Sequence, residues 1–405
     1  MNGLTTVGRE ASVSRDELRF PGWPQYAEDE VASATEVLRS GRVNYWTGSE
    51  GRAFEREYAA SIGVRHAVAL ANGSVALELA LVLLGIGPGD EVITTPRTFI
   101  ASASCAVMRG AKPVFADVDR DSQNITASSI ERIMSPRTRA IVVVHLAGWP
   151  CDMAPILQLA ESKNIAVIED CAQANGALYR GKAVGSFGTF GAFSFCQDKI
   201  ISTGGEGGLL ATQDESLWSR AWAYKDHGKS YQAAHRTDHP PGFRWLHESF
   251  GTNWRMTEFQ SAIGRRQLSK LDRWVERRRV NAQCLYEGLS QAGALRVPLP
   301  DPHIKHAYYK FYAFVDPARL KSDWTRDRII AEVAARGVPC FSGSCSEVYL
   351  EQAFDGTGLR PAQRLPVARE LGDTSLMFLV HPTLAREHME RTCSVVHDVV
   401  AEAAR

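Results

Sequence analysis

The sequence predicts an α/β fold: a mostly parallel seven-stranded sheet flanked by helices, followed by a smaller α+β C-terminal domain. Two observations carry this expectation. From Arg65 to about Thr212, short β-branched runs alternate with longer amphipathic ones, the pattern of strands joined through covering helices. After about Arg255 the character changes to long charged helical stretches around one strand-like run. A chain of 405 residues is long enough to build more than one core.

Taken in order, residues 1–25 read as an N-terminal arm of mixed charge that lacks the apolar run of a signal peptide. A large domain then spans 26–265. Its strands are HAVAL (66–70), EVITT (91–95), PVFADV (113–118), AIVVVHL (140–146) and AVIED (166–170), with FGAFSF (190–195) and GLLAT (208–212) returning through the same sheet. Helices are expected from Ser74 to Leu84, Phe99 to Met108 and Met153 to Lys163, closed by Gly85, Gly110 and Asn164. A small domain covers 266–405. The charged run MTEFQSAIGRRQLSKLDRWVERRRVNAQCLYEGL reads as a helix between the two domains. Beyond it, YYKFYAFV (308–315) is a strand, and helices are expected at about 326–336 and 386–403.

Composition excludes several classes of function. Lys plus Arg and Asp plus Glu number 46 each, so no net field gathers nucleic acid or an anionic membrane surface. The longest apolar stretch, Ala76 to Ile86, is interrupted by Glu78 and is too short to span a bilayer. Eight cysteines form neither a C-x-x-C pair nor a zinc-spaced cluster, so no metal site is expected and the thiols suit a reducing cytoplasm.

The chemistry is concentrated in five motifs. FSFCQDKIISTGGEGG (193–208) delivers a lone lysine just ahead of a glycine-rich loop, which admits close backbone approach to a ligand. Lys199 therefore sits where a fixed nucleophile belongs. A lysine attacks an aldehyde only as the free amine, a state that burial near other cations promotes. By itself Lys199 reads as a solvated surface residue, because lysine is seldom buried; the flanking pattern favours the nucleophile. IEDCAQANGA (168–177) ends a strand in a carboxylate at the sheet's carboxyl edge, where α/β folds bind ligands. Asp170 is the candidate partner for a cationic ring nitrogen, and a cap on the following turn is the competing reading. Strand alternation sends Glu169 to the opposite face and leaves Gln173 beside the ligand.

In ANGSVALELAL (71–81) a strand passes through Asn72 and Gly73 into a helix near Ser74. Helix N-termini bind phosphate through free N–H groups, so Gly73, Ser74 and Val75 are candidate donors, against the simpler reading of a capping serine. Ser194 adds a possible phosphate contact. Phe99, in TTPRTFIASA (94–103), follows a strand and can stack on an aromatic ligand or fill the core. Asn253 and Arg255, in GTNWRMTEFQSAIGRRQL (251–268), precede the long helix; Arg255 reads as an anion clamp or a surface arginine.

Together these segments resemble the DegT/DnrJ/EryC1/StrS family of sugar aminotransferases, a branch of the fold-type I pyridoxal-phosphate enzymes, over most of the chain. The resemblance implies pyridoxal 5'-phosphate linked to Lys199 as a Schiff base, with Asp170 on the pyridine nitrogen and Gln173 near the phenolic oxygen. It implies Ser74, Val75 and Ser194 on the phosphate. It also implies a homodimer with shared active sites, in which Asn253 reaches the neighbouring subunit's phosphate. Lysine stands where the family's dehydratase relatives carry histidine, which implies transamination.

The expected reaction moves an amino group from glutamate or glutamine to a keto-sugar, nucleotide-linked, in polysaccharide or secondary-metabolite biosynthesis. The segments FSGSCSEVYLEQAF (341–354) and SLMFLVHPTL (375–384) depart from the usual sugar-enzyme wording. They keep two alternatives open: a cyclitol aminotransferase or an aminohydroxybenzoate synthase-like enzyme. A noncatalytic sugar-nucleotide-binding regulator is the reading from another class. Tyr224, Lys225, His227 and Tyr309 are candidates for lining a substrate cleft. The glycines at 85, 87 and 89 close a helix before a strand, which reads as a turn and not as a dinucleotide loop.

Overall fold

Nine strands form in the first part of the chain: β1 (His66–Leu70), β2 (Glu91–Thr94), β3 (Lys112–Phe115), β4 (Thr138–Val144), β5 (Ala166–Asp170), β6 (Leu178–Tyr179), β7 (Lys182–Ala183), β8 (Phe190–Ser194) and β9 (Gly208–Thr212). Seven of them make one sheet in the order β1-β9-β8-β5-β4-β2-β3. Neighbours pair in parallel from β8 to β3, and β9 alone runs against both β8 and β1. The computed structural model describes residues 18–239 and 241–405, so the first 17 residues of the expected arm lie outside the described residues.

Strand alternation explains how the sheet is buried on both faces. In β4, Ala140 and Val142 enter one core with Val68, Leu79, Val92 and Phe190, whereas Ile141 and Val143 enter another with Ile93, Val167 and Met153. Helices cover both sides, as a sheet of near-continuous Val, Ile and Ala runs requires. The expected helices form at Gly73–Leu83, Ala101–Met108 and Met153–Ser162. The glycines after the first of these make a turn: Gly85 and Gly89 have positive φ, and the chain enters β2 at Glu91. Among the described residues no helix is long and apolar enough to cross a membrane.

The later part adds β10 (Leu295–Arg296), β11 (Ile304–Lys305), β12 (Phe311–Val315), β13 (Cys340–Phe341) and β14 (Ser375–Phe378). β10, β12, β14 and β13 form an antiparallel four-stranded sheet. The helices Leu271–Leu289, Arg326–Ala335 and Arg386–Ala403 pack on it through Leu285, Leu289, Ile329, Val333, Val396 and Val399.

Two expectations are corrected here. The charged run 256–289 is two helices, Glu258–Leu268 and Leu271–Leu289, parted at Ser269 and Lys270. At the junction Lys270 makes ion pairs to Asp29 at 2.6 Å and Glu30 at 3.0 Å, tying the break to the helix Glu28–Ser40. The strand expected from Tyr308 begins only at Phe311. Tyr308 takes a left-handed φ of 46°, its N–H bonds His306 Nδ1 at 2.8 Å, and Tyr309 N–H bonds Ala147 O at 2.8 Å. The tertiary contact overrides β propensity and brings Tyr309 and Lys310 to the cleft at the edge of the seven-stranded sheet.

Candidate active site

The parallel strands end along one edge, and the chemical motifs ride on those ends. Asp170 closes β5, Ser194 closes β8, Asn72 and Gly73 follow β1, and Thr98 and Phe99 follow β2. They border a cleft of about 900 Å³, large enough for a cofactor and a small substrate, whose far wall is Tyr309, Lys310, Tyr312, Gly343–Cys345 and Met377.

Asp170 is almost fully buried, and burial pushes its carboxyl above the usual range despite bonds from Ser102 Oγ at 2.7 Å and Ala172 N–H at 3.1 Å. No described cation lies in ion-pair contact with it, so a cationic ring nitrogen is the partner its setting favours. Glu169 points to the opposite face as alternation requires. There it is collared by Gly185, Phe187 and Gly188 N–H groups at 2.7, 2.7 and 2.8 Å, and by His145 Nε2 at 3.1 Å. His145 accepts the Cys151 N–H on Nδ1 at 3.0 Å, which fixes Nε2 as the donor to Glu169.

At the other end of the cleft the helix Gly73–Leu83 begins, capped by Asn72, whose side chain accepts the Val75 N–H at 3.0 Å. Val75 is therefore committed to the cap, a correction to its expected role as a phosphate donor. The Gly73 and Ser74 N–H groups precede the first intrahelical bond and have no acceptor among the described residues. A Cβ on Gly73 would lie 2.7 Å from Ser194 Cβ, so only glycine lets β8 bring the Ser194 hydroxyl against this helix start. The glycine-rich loop is likewise explained partly by the protein's own packing: a Cβ on Gly208 would lie 2.3 Å from the Asn72 carbonyl.

Lys199 lines the cleft between these two ends. Its Nζ stands 3.8 Å from Asp198 Oδ1 and 5.1 Å from the centre of the Tyr309 ring. Trp23 Nε1 donates to its carbonyl at 2.8 Å, clamping the loop backbone from the N-terminal side. Burial would raise the Asp198 pKa, but Lys199, the Tyr309 hydroxyl bond and Lys310 together hold it below the ordinary value. Gln173 accepts the Ala147 N–H on Oε1 at 2.7 Å, which turns its amide NH2 to face other acceptors.

A family model, DegT/DnrJ/EryC1/StrS aminotransferase family, matches residues 24–397. The chain belongs to that family. This aminotransferase is 32% identical over 382 residues to the GDP-perosamine synthase of Escherichia coli O157:H7, covering 94% of this chain and 99% of that one. It is 34% identical over 372 residues to the dTDP-3-amino-3,4,6-trideoxy-alpha-D-glucose transaminase of Streptomyces venezuelae, covering 92% of both. A solved aminotransferase from Psychrobacter cryohalolentis matches with a TM-score of 0.93 and 55% identity, over 95% of this chain and 99% of that one.

Not every expected residue of the aminotransferase meets in its cleft. Phe99 lines the rim and is 68% exposed, so it is not core filling. Asn253 is exposed outside the chain's own cleft, on a bridge to Asp226. Arg255 clamps that same Asp226 at 2.6 Å, so the anion it holds belongs to this chain. Of the four further cleft candidates only Tyr309 lines the cleft. Lys225 is buried, 3.6 Å over the Tyr45 ring, His227 is exposed, and Tyr224 packs on Trp254. Sequence reasoning missed Ser102, Asp198, Lys310 and Tyr312. Ser102 carried a readable signal, since it follows Phe99 by one helical turn; Lys310 and Tyr312 come from the distant small sheet and carried none.

Proposed function

We propose that this chain transfers an amino group from glutamate or glutamine to a keto-sugar, nucleotide-linked, using pyridoxal 5'-phosphate joined to Lys199. One observation carries the reading: a single cleft gathers Lys199, a buried carboxylate without a cation, and the open start of a helix. These are the three things the cofactor's aldehyde, ring nitrogen and phosphate each require. Asp170 would face the pyridine nitrogen and Gln173 would offer its amide NH2 to the phenolic oxygen. Gly73, Ser74 and Ser194 would take the phosphate, and Phe99 would cover the ring. When bound, the cofactor supplies an electron sink for the carbanion formed at the substrate carbon.

The chain's own residues do the rest. Lys199, released as an amine, moves the proton at the reacting carbon, and Asp198 with Tyr309 keeps it in place. The acceptor class is supported by relatives named for GDP- and dTDP-linked amino sugars. Homodimerisation with shared sites is supported by the outward position of Asn253. In the segment just before it, Phe243, Trp245 and Phe250 are 80%, 86% and 100% exposed, with Phe243 and Trp245 packed edge to face, apolar surface that a partner subunit would cover. Residues 1–25 as an arm, 26–265 as the large domain and 266–405 as the small one belong to the same reading, supported by the seven-stranded and four-stranded sheets, which a third sheet, β11-β6-β7, ties together across that boundary. A reducing cytoplasm suits eight free cysteines.

Borohydride reduction of the holoprotein followed by peptide mapping should label Lys199, and Lys199→Ala should lose turnover while retaining noncovalent cofactor. Substantial turnover in that variant would reject the assignment. A panel of nucleotide keto-sugars and cyclitol ketones, run with glutamate and with glutamine, separates the acceptor classes. A preference for the cyclitols would displace the nucleotide-sugar reading.

A further inference from the structure

Among the described residues lining the cleft the cations are Lys199 and Lys310, against Asp170, Asp198, Glu206 and Glu351. On the reading above Lys199 is occupied by the cofactor. A negatively charged substrate group entering the cleft therefore meets one ammonium, that of Lys310. Its side chain is 18% exposed and its Nζ has no hydrogen-bond partner among the described residues; the nearest carboxylate oxygen, Asp198 Oδ2, is 3.9 Å away. The same carboxylate lies 3.8 Å from Lys199 through its other oxygen, and the two amines stand 4.7 and 5.1 Å from the centre of one ring, that of Tyr309.

Behind this pair lies a third cation. Arg278 is fully buried, 5.1 Å over the Trp23 ring, with Nη1 reaching Tyr309 O at 3.3 Å and with Nε and Nη2 unpartnered. Two amines thus share one carboxylate, with a buried and incompletely partnered guanidinium behind them, an arrangement that an added anion would relieve. We propose that Lys310 binds the α-carboxylate of the amino-acid donor. The proposal rests on the Lys199 reading, and position selects this anion. Both amines abut the same Asp198 side chain, so an anion held by Lys310 lies beside the carbon reacting at Lys199. The α-carboxylate is attached to that carbon, whereas the diphosphate of a nucleotide sugar is separated from the reacting carbonyl by sugar-ring atoms.

The test titrates holoenzyme with 2-methylglutamate, a donor analogue that has no α-proton to lose, by calorimetry and by the change in cofactor absorbance. 4-Aminobutyrate, which has no α-carboxylate, serves as the comparison. Lys310→Met should weaken 2-methylglutamate by roughly tenfold to a hundredfold, the worth of one charged hydrogen bond, and leave 4-aminobutyrate unchanged. Lys310→Arg should recover most of the loss. Equal binding of 2-methylglutamate by parent and Lys310→Met overturns the proposal. So does equal weakening of both amines, or a loss confined to the keto-sugar acceptor, which would assign Lys310 to the acceptor's own anion. Borohydride labelling of Lys199 in the parent and both variants reads the cofactor link separately, so its absence sinks the functional reading without mimicking any of these outcomes.

Discussion

Asp170 and Lys199 line the same cleft, and on the proposed reading they meet opposite ends of one ligand; their settings differ for physical reasons. The carboxylate is buried and held by Ser102 and the Ala172 N–H, whereas the amine is balanced between Asp198 and an aromatic ring. Asp170→Asn removes the charge and keeps the shape. It should lower turnover by about tenfold to a thousandfold, matching the roughly 1 to 3 pKa units that an adjacent charge is worth, while cofactor content stays near parent level. Steady-state kinetics with an absorbance measure of bound cofactor checks both halves. Gly73→Ala addresses the phosphate end. The added methyl meets Ser194 Cβ at 2.7 Å and backbone must shift, so a loss of about 1 to 3 kcal/mol of stability together with weaker cofactor retention is expected. Unfolding and dialysis measurements read the two effects. At this scale the sequence named Gly73, Ser74, Val75, Phe99, Asp170, Gln173, Ser194 and Lys199, all of which line the cleft, because each stands in a short motif whose strand-to-turn character is local. Val75 was misread because which N–H a cap consumes depends on the Asn72 rotamer.

Among the elements, the helix Gly73–Leu83 shows how local structure makes a binding site. Asn72 has extended backbone geometry and caps Val75, which leaves the two preceding N–H groups to a ligand. Asn72→Ala should cost about 1 kcal/mol of stability, and in addition weaken cofactor binding because the helix start is no longer fixed. Asn72→Asp should escape most of the stability loss, since aspartate also caps; an equal stability loss in both variants would argue against capping. The strand β12 shows the reverse dependence. Read from Tyr308 to Val315 by composition, it begins three residues later because the Ala147 carbonyl and His306 take the Tyr309 and Tyr308 N–H groups. That three-residue difference is what delivers Tyr309 and Lys310 to the cleft.

For the whole molecule, the cleft is closed by the seven-stranded and four-stranded sheets, and on our reading by two subunits. Lys199→Ala and Asn253→Ala preparations, each inactive alone, should recover about a quarter of parental activity after mixing and subunit exchange, because half the dimers are mixed and each of those holds one intact site. No recovery despite demonstrated exchange would argue that each subunit is self-sufficient. Charge burial sets a second global property. Burial pushes Lys310 down to about 8 from 10.5, although Asp198 opposes the shift. Between these values the unfolded chain binds more protons than the folded one, so this group's contribution to stability rises with pH across the window. Relative to Lys310→Met, the parent should therefore gain in urea midpoint as pH is raised from 8 towards 10.5. A constant difference would show that Lys310 keeps its ordinary titration.

The sequence by itself determined the α/β class, the seven strands of the large sheet and the motifs that border the cleft. Hydrophobic periodicity, helix caps and strand-end carboxylates are all written within a few neighbouring residues. Only the tertiary structure decided that Lys310 and Tyr312 line the cleft with Lys199, that Lys225 is buried, that Arg255 is consumed by Asp226, and that Asn253 is exposed outside the cleft. Those facts depend on contacts between residues far apart in the chain, whose register is set by packing of the two sheets and leaves no periodic trace in the sequence.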